Sequence, residues 1–143
     1  MKNLIISACL IGCRTRYNGE TSEIPELEEL KKKYCLIPVC PEQLGGLATP
    51  RDPAEIREGR VVSKKGRDVT AEFAKGAEEV LRLAKLFDCD TAILKERSPS
   101  CGYGRVYDGT FSGNLTDGSG LTAGLLAENG IRILGESRVG ELL

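Results

Sequence analysis

Four short apolar runs punctuate the chain at wide intervals: Leu4-Ile5-Ile6-Ser7-Ala8, Leu36-Ile37-Pro38-Val39, Thr91-Ala92-Ile93-Leu94 and Ile131-Arg132-Ile133-Leu134. Each has the length of a strand, and near-continuous apolar character predicts strands buried on both faces. Helical patterns lie between them. The clearest places Phe73, Ala77, Val80, Leu81, Ala84 and Phe87 on one stripe, with Asp68 or Thr70 positioned to cap its start. A shorter helix is expected over 26–34, with Leu27 and Leu30 inward and Lys31-Lys32-Lys33 as a solvated face. Another is expected over 121–129, stopped by Gly130. Alternating strands and helices require crossover connections, which predicts a three-layer, Rossmann-like α/β domain with a mainly parallel sheet. Two segments break the alternation and read as β-hairpin excursions. One runs from Ile56 to Ser63 with a Lys65-Gly66 turn, the other from Arg105 to Phe111 with an Asp108-Gly109 turn.

No repeat, low-complexity tract or linker divides the 143 residues, so a single domain over 1–143 is expected. Folding at this size buries roughly 70% of the unfolded chain's surface, enough for a core without staples. Six cysteines are too sparse for a disulfide scaffold and suggest a reducing, cytoplasmic setting. No segment approaches the roughly 20 apolar residues of a membrane span. Leu10-Ile11-Gly12-Cys13 imitates a lipoprotein cleavage site, but the segment before it is shorter than a secretory signal.

Charge and composition narrow the chemistry. With 20 Lys+Arg against 21 Asp+Glu, the chain lacks the cationic surplus that binds duplex nucleic acid. It contains no histidine, which removes Ser-His-Asp and Cys-His catalysis, His-ligated zinc and haem, and the facial iron triad. Chemistry must rest on cysteine, carboxylates, hydroxyls or backbone.

Ligands of open parallel sheets bind beyond the carboxyl ends of the strands, where crossover loops diverge. Cys9 follows the first predicted strand, Cys40 the second, and Cys101 lies in the loop after the third. These three thiols are expected to meet at one crevice. Cys35 and Cys89 fall at the opposite, amino ends and read as small core residues. Cys13, four residues after Cys9, either lines the crevice or packs beneath it. Three soft sulfurs favour an Fe–S cluster, zinc or Cu(I), and three ligands leave one position open. Glu42 can reach the same space as a proton-transfer carboxylate, or stand as a solvated loop residue. Ser98 and Ser100 offer hydroxyls around Cys101, or ordinary turn chemistry; Gly45-Gly46 permits close backbone approach to a ligand, or makes a turn. Arg51 can clamp an anion or pair with Asp52 or Glu55.

Several long motifs occur in order. Ile6-Ser7-Ala8-Cys9-Leu10-Ile11-Gly12 is followed by Arg16-Tyr17-Asn18-Gly19, then by 39–47 (Val-Cys-Pro-Glu-Gln-Leu-Gly-Gly-Leu) and 50–55 (Pro-Arg-Asp-Pro-Ala-Glu). Gly66-Arg67-Asp68-Val69-Thr70, the 95–102 segment Lys-Glu-Arg-Ser-Pro-Ser-Cys-Gly, Tyr107-Asp108-Gly109-Thr110-Phe111 and Gly120-Leu121-Thr122-Ala123 follow. Together they resemble the 2-thiouracil desulfurase family, also known as domain of unknown function 523, over nearly the whole chain.

The resemblance implies a [4Fe-4S] cluster on Cys9, Cys40 and Cys101, whose fourth iron takes sulfur from a thiolated pyrimidine base without redox turnover. Uracil and sulfide would be the products. Glu42 would transfer protons, Ser98 would position or protonate the substrate, and Ser7, Gly45, Gly46 and Ser100 would contribute to holding the base. The family's first loop usually carries a second cysteine before Arg-Tyr-Asp-Gly; here Thr15 and Asn18 stand at the altered positions, which bears on substrate fit. Two alternatives stay open: a cluster enzyme acting on a different small thione, and a non-enzymatic zinc-binding or thiol redox-sensing module.

Overall fold

The computed structural model describes residues 1–143. Strand β1 (Lys2–Ser7) leads into a 3-10 turn (Ala8–Ile11), then α1 (Leu27–Lys33), β2 (Tyr34–Val39) and α2 (Pro41–Leu44). A hairpin of β3 (Ala54–Arg57) and β4 (Arg60–Ser63) precedes α3 (Thr70–Leu86) and β5 (Thr91–Leu94). A second hairpin, β6 (Arg105–Tyr107) and β7 (Leu115–Asp117), precedes α4 (Leu121–Glu128), β8 (Arg132–Gly135) and a final 3-10 segment (Glu136–Leu142).

The four long-range strands form one sheet in the order β2-β1-β5-β8, every pairing parallel. All four carboxyl ends therefore lie along one edge. Strand order reverses between β1 and β5, which puts the ligand-binding crevice of an open α/β sheet above those two strands. Successive strand residues point to opposite faces and divide the core accordingly. Ile5, Ala92, Leu94 and Ile133 face Val80 and Ala84 of α3 and Ala123 and Leu126 of α4. Leu4, Ile6 and Ile93 face Leu10, Leu30 of α1 and Val139 of the final 3-10 segment. Burying each large aliphatic side chain of this kind contributes about 1.5–3 kcal/mol. The chain thus has a mixed α/β fold in three layers, with the hairpins outside the sheet.

Several expectations need correction. β2 and β8 are the edge strands, and β2 is the less buried of the two, with Cys35 and Pro38 exposed and Leu36 and Ile37 only partly buried, so it is not buried on both faces as expected. Cys35 points to solvent and is no core residue, whereas Cys89 is buried in the α3/α4-side core. Phe87 terminates the α3 stripe but is exposed. In the first hairpin the reversal is at Glu58-Gly59, both at positive φ. Lys65-Gly66 makes the next turn, where the Gly66 N–H donates to the Ser63 carbonyl. In the second hairpin Asp108-Gly109 opens a longer loop, because β6 pairs with 115–117. Of the two residues expected to cap α3, Asp68 accepts the Thr70 N–H at the helix start (Oδ1, 2.9 Å), whereas Thr70 is itself the first helical residue and its Oγ1 accepts the Val61 N–H of β4 at 2.8 Å, tying helix to hairpin. No helix is long and apolar enough to cross a membrane.

Candidate functional site

A cavity of about 970 Å³ opens at the carboxyl edge of the sheet, and Ser7, Cys9, Cys40, Glu42, Ser98 and Cys101 all line it. Its size is at the upper end of small-molecule sites.

Three local structures deliver the sulfurs. Cys9 is carried by the 3-10 turn that closes β1 and is held by Gly12 in the left-handed region, φ 102°. Cys40 directly follows β2, and the next residue, Pro41, begins α2 with its fixed φ. That short helix is fixed by two glycines. A Cβ on Gly45 would run into the Glu72 carbonyl of α3, and one on Gly76 would approach the Pro41 carbonyl carbon to 2.7 Å. Absence of both side chains lets α2 lie against α3, which sets the position of Cys40 and Glu42.

Cys101, only 4% exposed, sits in a loop sewn to the start of α4. The carbonyls of Pro99 and Ser100 accept the N–H groups of Leu121, Thr122 and Ala123 at 2.9–3.1 Å, satisfying donors that a helix start leaves free. Ser100 Oγ lies 3.0 Å from Thr122 Oγ1. Ser98 Oγ accepts the Cys101 N–H at 2.7 Å. Ser7 links two strand ends to this loop: its Oγ accepts the Lys95 N–H at 2.9 Å and donates to Cys101 Sγ at 3.5 Å.

The thiols share one electrostatic environment. Burial pushes Cys9 up to about 11, against the opposing pull of the Lys95 ammonium. Burial also raises Cys40 and Cys101, and the Glu42 carboxylate adds to the shift at each of these two thiols. Glu42 acts on Cys9 in the same sense, so one carboxylate is within electrostatic reach of all three sulfurs. Cys40 Sγ is 4.0 Å from Glu42 Oε1 and 3.8 Å from the Thr15 carbonyl oxygen.

Gly45, Gly46 and Ser100 do not line the cavity. Gly45 is spent on helix packing, Ser100 is fully buried against α4, and Gly46 turns the chain at φ 99°. Cys13 is exposed and also outside the lining. Arg51 pairs with neither Asp52 nor Glu55. Its Nη2 donates to Glu42 Oε2 at 3.4 Å and to the Thr15 carbonyl at 2.9 Å. Two lining groups, Lys95 and Glu136, were given no role by the sequence. Lys95 Nζ pairs with Glu136 Oε2 at 2.6 Å, and Glu136 Oε1 accepts the Glu96 N–H at 2.6 Å. Lys95 directly follows β5, so the strand-end rule that found the cysteines also reaches it; Glu136 follows β8 by the same rule.

The donor set fits an iron–sulfur cluster. It consists of three soft sulfurs, all free thiols, brought to one cavity on separate loops of a chain without histidine.

Comparison with known proteins agrees with this chemistry. Residues 4–138 match the family model for 2-thiouracil desulfurase. The uncharacterized protein YbbK of Bacillus subtilis (strain 168) is 40% identical, with 98% of this chain and 99% of that protein covered. A solved structure of TudS, described as a [4Fe-4S]-dependent thiouracil desulfidase (DUF523Vcz), superposes with a TM-score of 0.94 at 44% identity, covering 99% of this chain and 95% of that one.

Proposed function

The chain belongs to the 2-thiouracil desulfurase family, and from that premise we propose that it is an iron–sulfur dependent enzyme removing sulfur from a 2-thiouracil-like pyrimidine to give uracil and sulfide. The observation that carries the reading is the gathering of Cys9, Cys40 and Cys101 around one cavity with Glu42 in electrostatic reach of each. We assign the cluster to those three thiols. When bound there, it supplies an iron without a protein ligand, a Lewis acid suited to thione sulfur.

The remaining roles fall to the chain's own groups. Replacing C=S by C=O consumes one water and releases hydrogen sulfide, so protons must leave the attacking water and reach the departing sulfur. Glu42, held by Arg51, is the carboxylate placed to take and return them. Ser98 Oγ accepts the Cys101 N–H, which fixes the hydroxyl in place with its proton available to a substrate heteroatom. Ser7 acts one step back, keeping the Cys101 loop against β1. Residues 1–143 work as one domain in this account, in a reducing, cytoplasmic setting where free thiols persist.

The test is anaerobic reconstitution with iron and sulfide followed by incubation with 2-thiouracil. Equimolar uracil and sulfide are expected from a brown protein. A colourless protein carrying stoichiometric zinc, or a brown one that releases no uracil, overturns the reading.

A further inference from the structure

Both hairpin segments also contribute to the cavity lining, among them Glu55, Tyr107 and Phe111, and one clamp joins them. On β3, Glu55 and Arg57 share a face by strand periodicity. The Glu55 side chain is buried, with the residue 8% exposed, and its Oε1 accepts the N–H groups of Gly109 at 3.0 Å and Phe111 at 3.1 Å. Arg57 takes the other side of the same turn, its Nε and Nη2 donating to the Gly109 carbonyl at 3.1 and 2.6 Å. A Cβ on Gly109 would come within 2.7 Å of the Ile56 carbonyl oxygen, so the turn lies directly on β3.

The clamp holds an aromatic ring where it has no packing reason to be. Phe111 adopts φ 56°, a region that bulky residues seldom enter. Its ring belongs to none of the three apolar clusters and stays half-buried at the cavity wall, with the Arg57 guanidinium carbon 6.0 Å from its centroid. A buried carboxylate, a guanidinium and a strained backbone thus hold an aromatic ring in the lining of the cavity. Resting on the desulfurase reading, we propose that Phe111 is the platform on which the planar pyrimidine ring of the substrate stacks, and that Glu55 is the positioning residue that fixes it there. The chemistry matches. Water adds to the sulfur-bearing carbon of a neutral thiopyrimidine from one face of the ring, so the opposite face is free for a hold that does not compete with the chemistry.

The experiment measures KM and kcat for 2-thiouracil with the reconstituted holoenzyme, and the uracil dissociation constant by calorimetry. Stacking of a base on an aromatic side chain corresponds to a roughly tenfold to hundredfold effect. Phe111→Leu, which keeps bulk without a π face, is expected to raise KM and the uracil Kd by about tenfold or more while iron content and melting temperature hold. Phe111→Tyr should restore both constants. Glu55→Ala should reproduce the KM change, Glu55→Gln should recover most of it through its remaining carbonyl acceptor, and Glu55→Ala should add nothing in the Phe111→Leu background. If Phe111→Leu leaves both constants within about twofold of the parent, the platform is wrong although the enzyme reading stands. A parent protein that neither converts thiouracil nor binds uracil overturns both.

Discussion

Glu42 and Arg51 meet at 3.4 Å with their side chains 14% and 10% exposed, and the same guanidinium nitrogen holds the Thr15 carbonyl that Cys40 also touches. A largely buried pair is costly to break because the surviving charge is left without a partner. Here the survivor would be the carboxylate assigned to proton transfer. Glu42→Gln is expected to lower kcat by about 10²–10⁴. Arg51→Ala should lower it by about tenfold or more while iron content stays at the parent level, since Arg51 contributes no sulfur and acts through Glu42. Steady-state kinetics beside iron analysis checks this; an Arg51→Ala enzyme with parental kcat would remove Glu42 orientation from the mechanism.

The cysteines should separate into two groups. Cys9→Ser, Cys40→Ser and Cys101→Ser are each expected to lose cluster absorption and most iron after anaerobic reconstitution. Cys35→Ser, at an exposed position of the edge strand, should match the parent in iron content and stability. Cys89→Ser puts a hydroxyl into an apolar core and should keep its iron while losing about 1–3 kcal/mol of stability. Equal iron content in all five proteins would refute the ligand assignment.

Gly76 lies inside α3, where alanine ordinarily stabilises a helix by about 1 kcal/mol. The Pro41 backbone occupies the space a Cβ would need. Gly76→Ala is therefore expected to destabilise by about 1–3 kcal/mol through overpacking, and to push α2 away together with Cys40 and Glu42. Denaturant melts give the sign, and reduced cluster retention gives the location. A stabilised variant with full iron would show that α2 needs no such close approach.

Asp68 supplies a pH test away from the site. Its hydrogen bond with Arg60, aided by the Thr70 N–H, holds the carboxyl down at about 2. A depressed folded value means the unfolded chain binds the proton more tightly, so the charge contributes stability above the unfolded carboxyl value near about 4. That contribution fades as pH falls towards 2. Asp68→Asn keeps an oxygen for Thr70 and removes the charge, so its small deficit at pH 7 should shrink across that window in denaturant melts. A deficit independent of pH would assign it to geometry rather than charge.

Much of this was legible in residue order because the relevant rules are local. Apolar runs gave β1, β5 and β8, and the strand-end rule brought Cys9, Cys40 and Cys101 to one edge. β2 misled because Leu36, Ile37 and Val39 are apolar enough for a core strand, whereas in the sheet it lies at an edge with Cys35 and Pro38 exposed. The Arg51–Glu42 pair was missed because sequence neighbours such as Asp52 suggested closer partners, while the α2 turn carries Glu42 nearer. Glycine 45 read as a ligand contact for a similar reason: its need for space comes from α3, far along the chain. Nothing in the motif Asp108-Gly109-Thr110-Phe111 signals that its phenylalanine turns left-handed onto a buried glutamate.

The three sulfurs are spread over residues 9 to 101 and are fixed by β1, β2 and the loop docked on α4. A half-made chain cannot offer the set, because Cys101 has no fixed place until the segment around 120–123 has arrived to receive it. On the proposed ligand set, iron would be a late guest: delivery would act on an already folded scaffold, and colour acquired by the protein would report that α4 has docked.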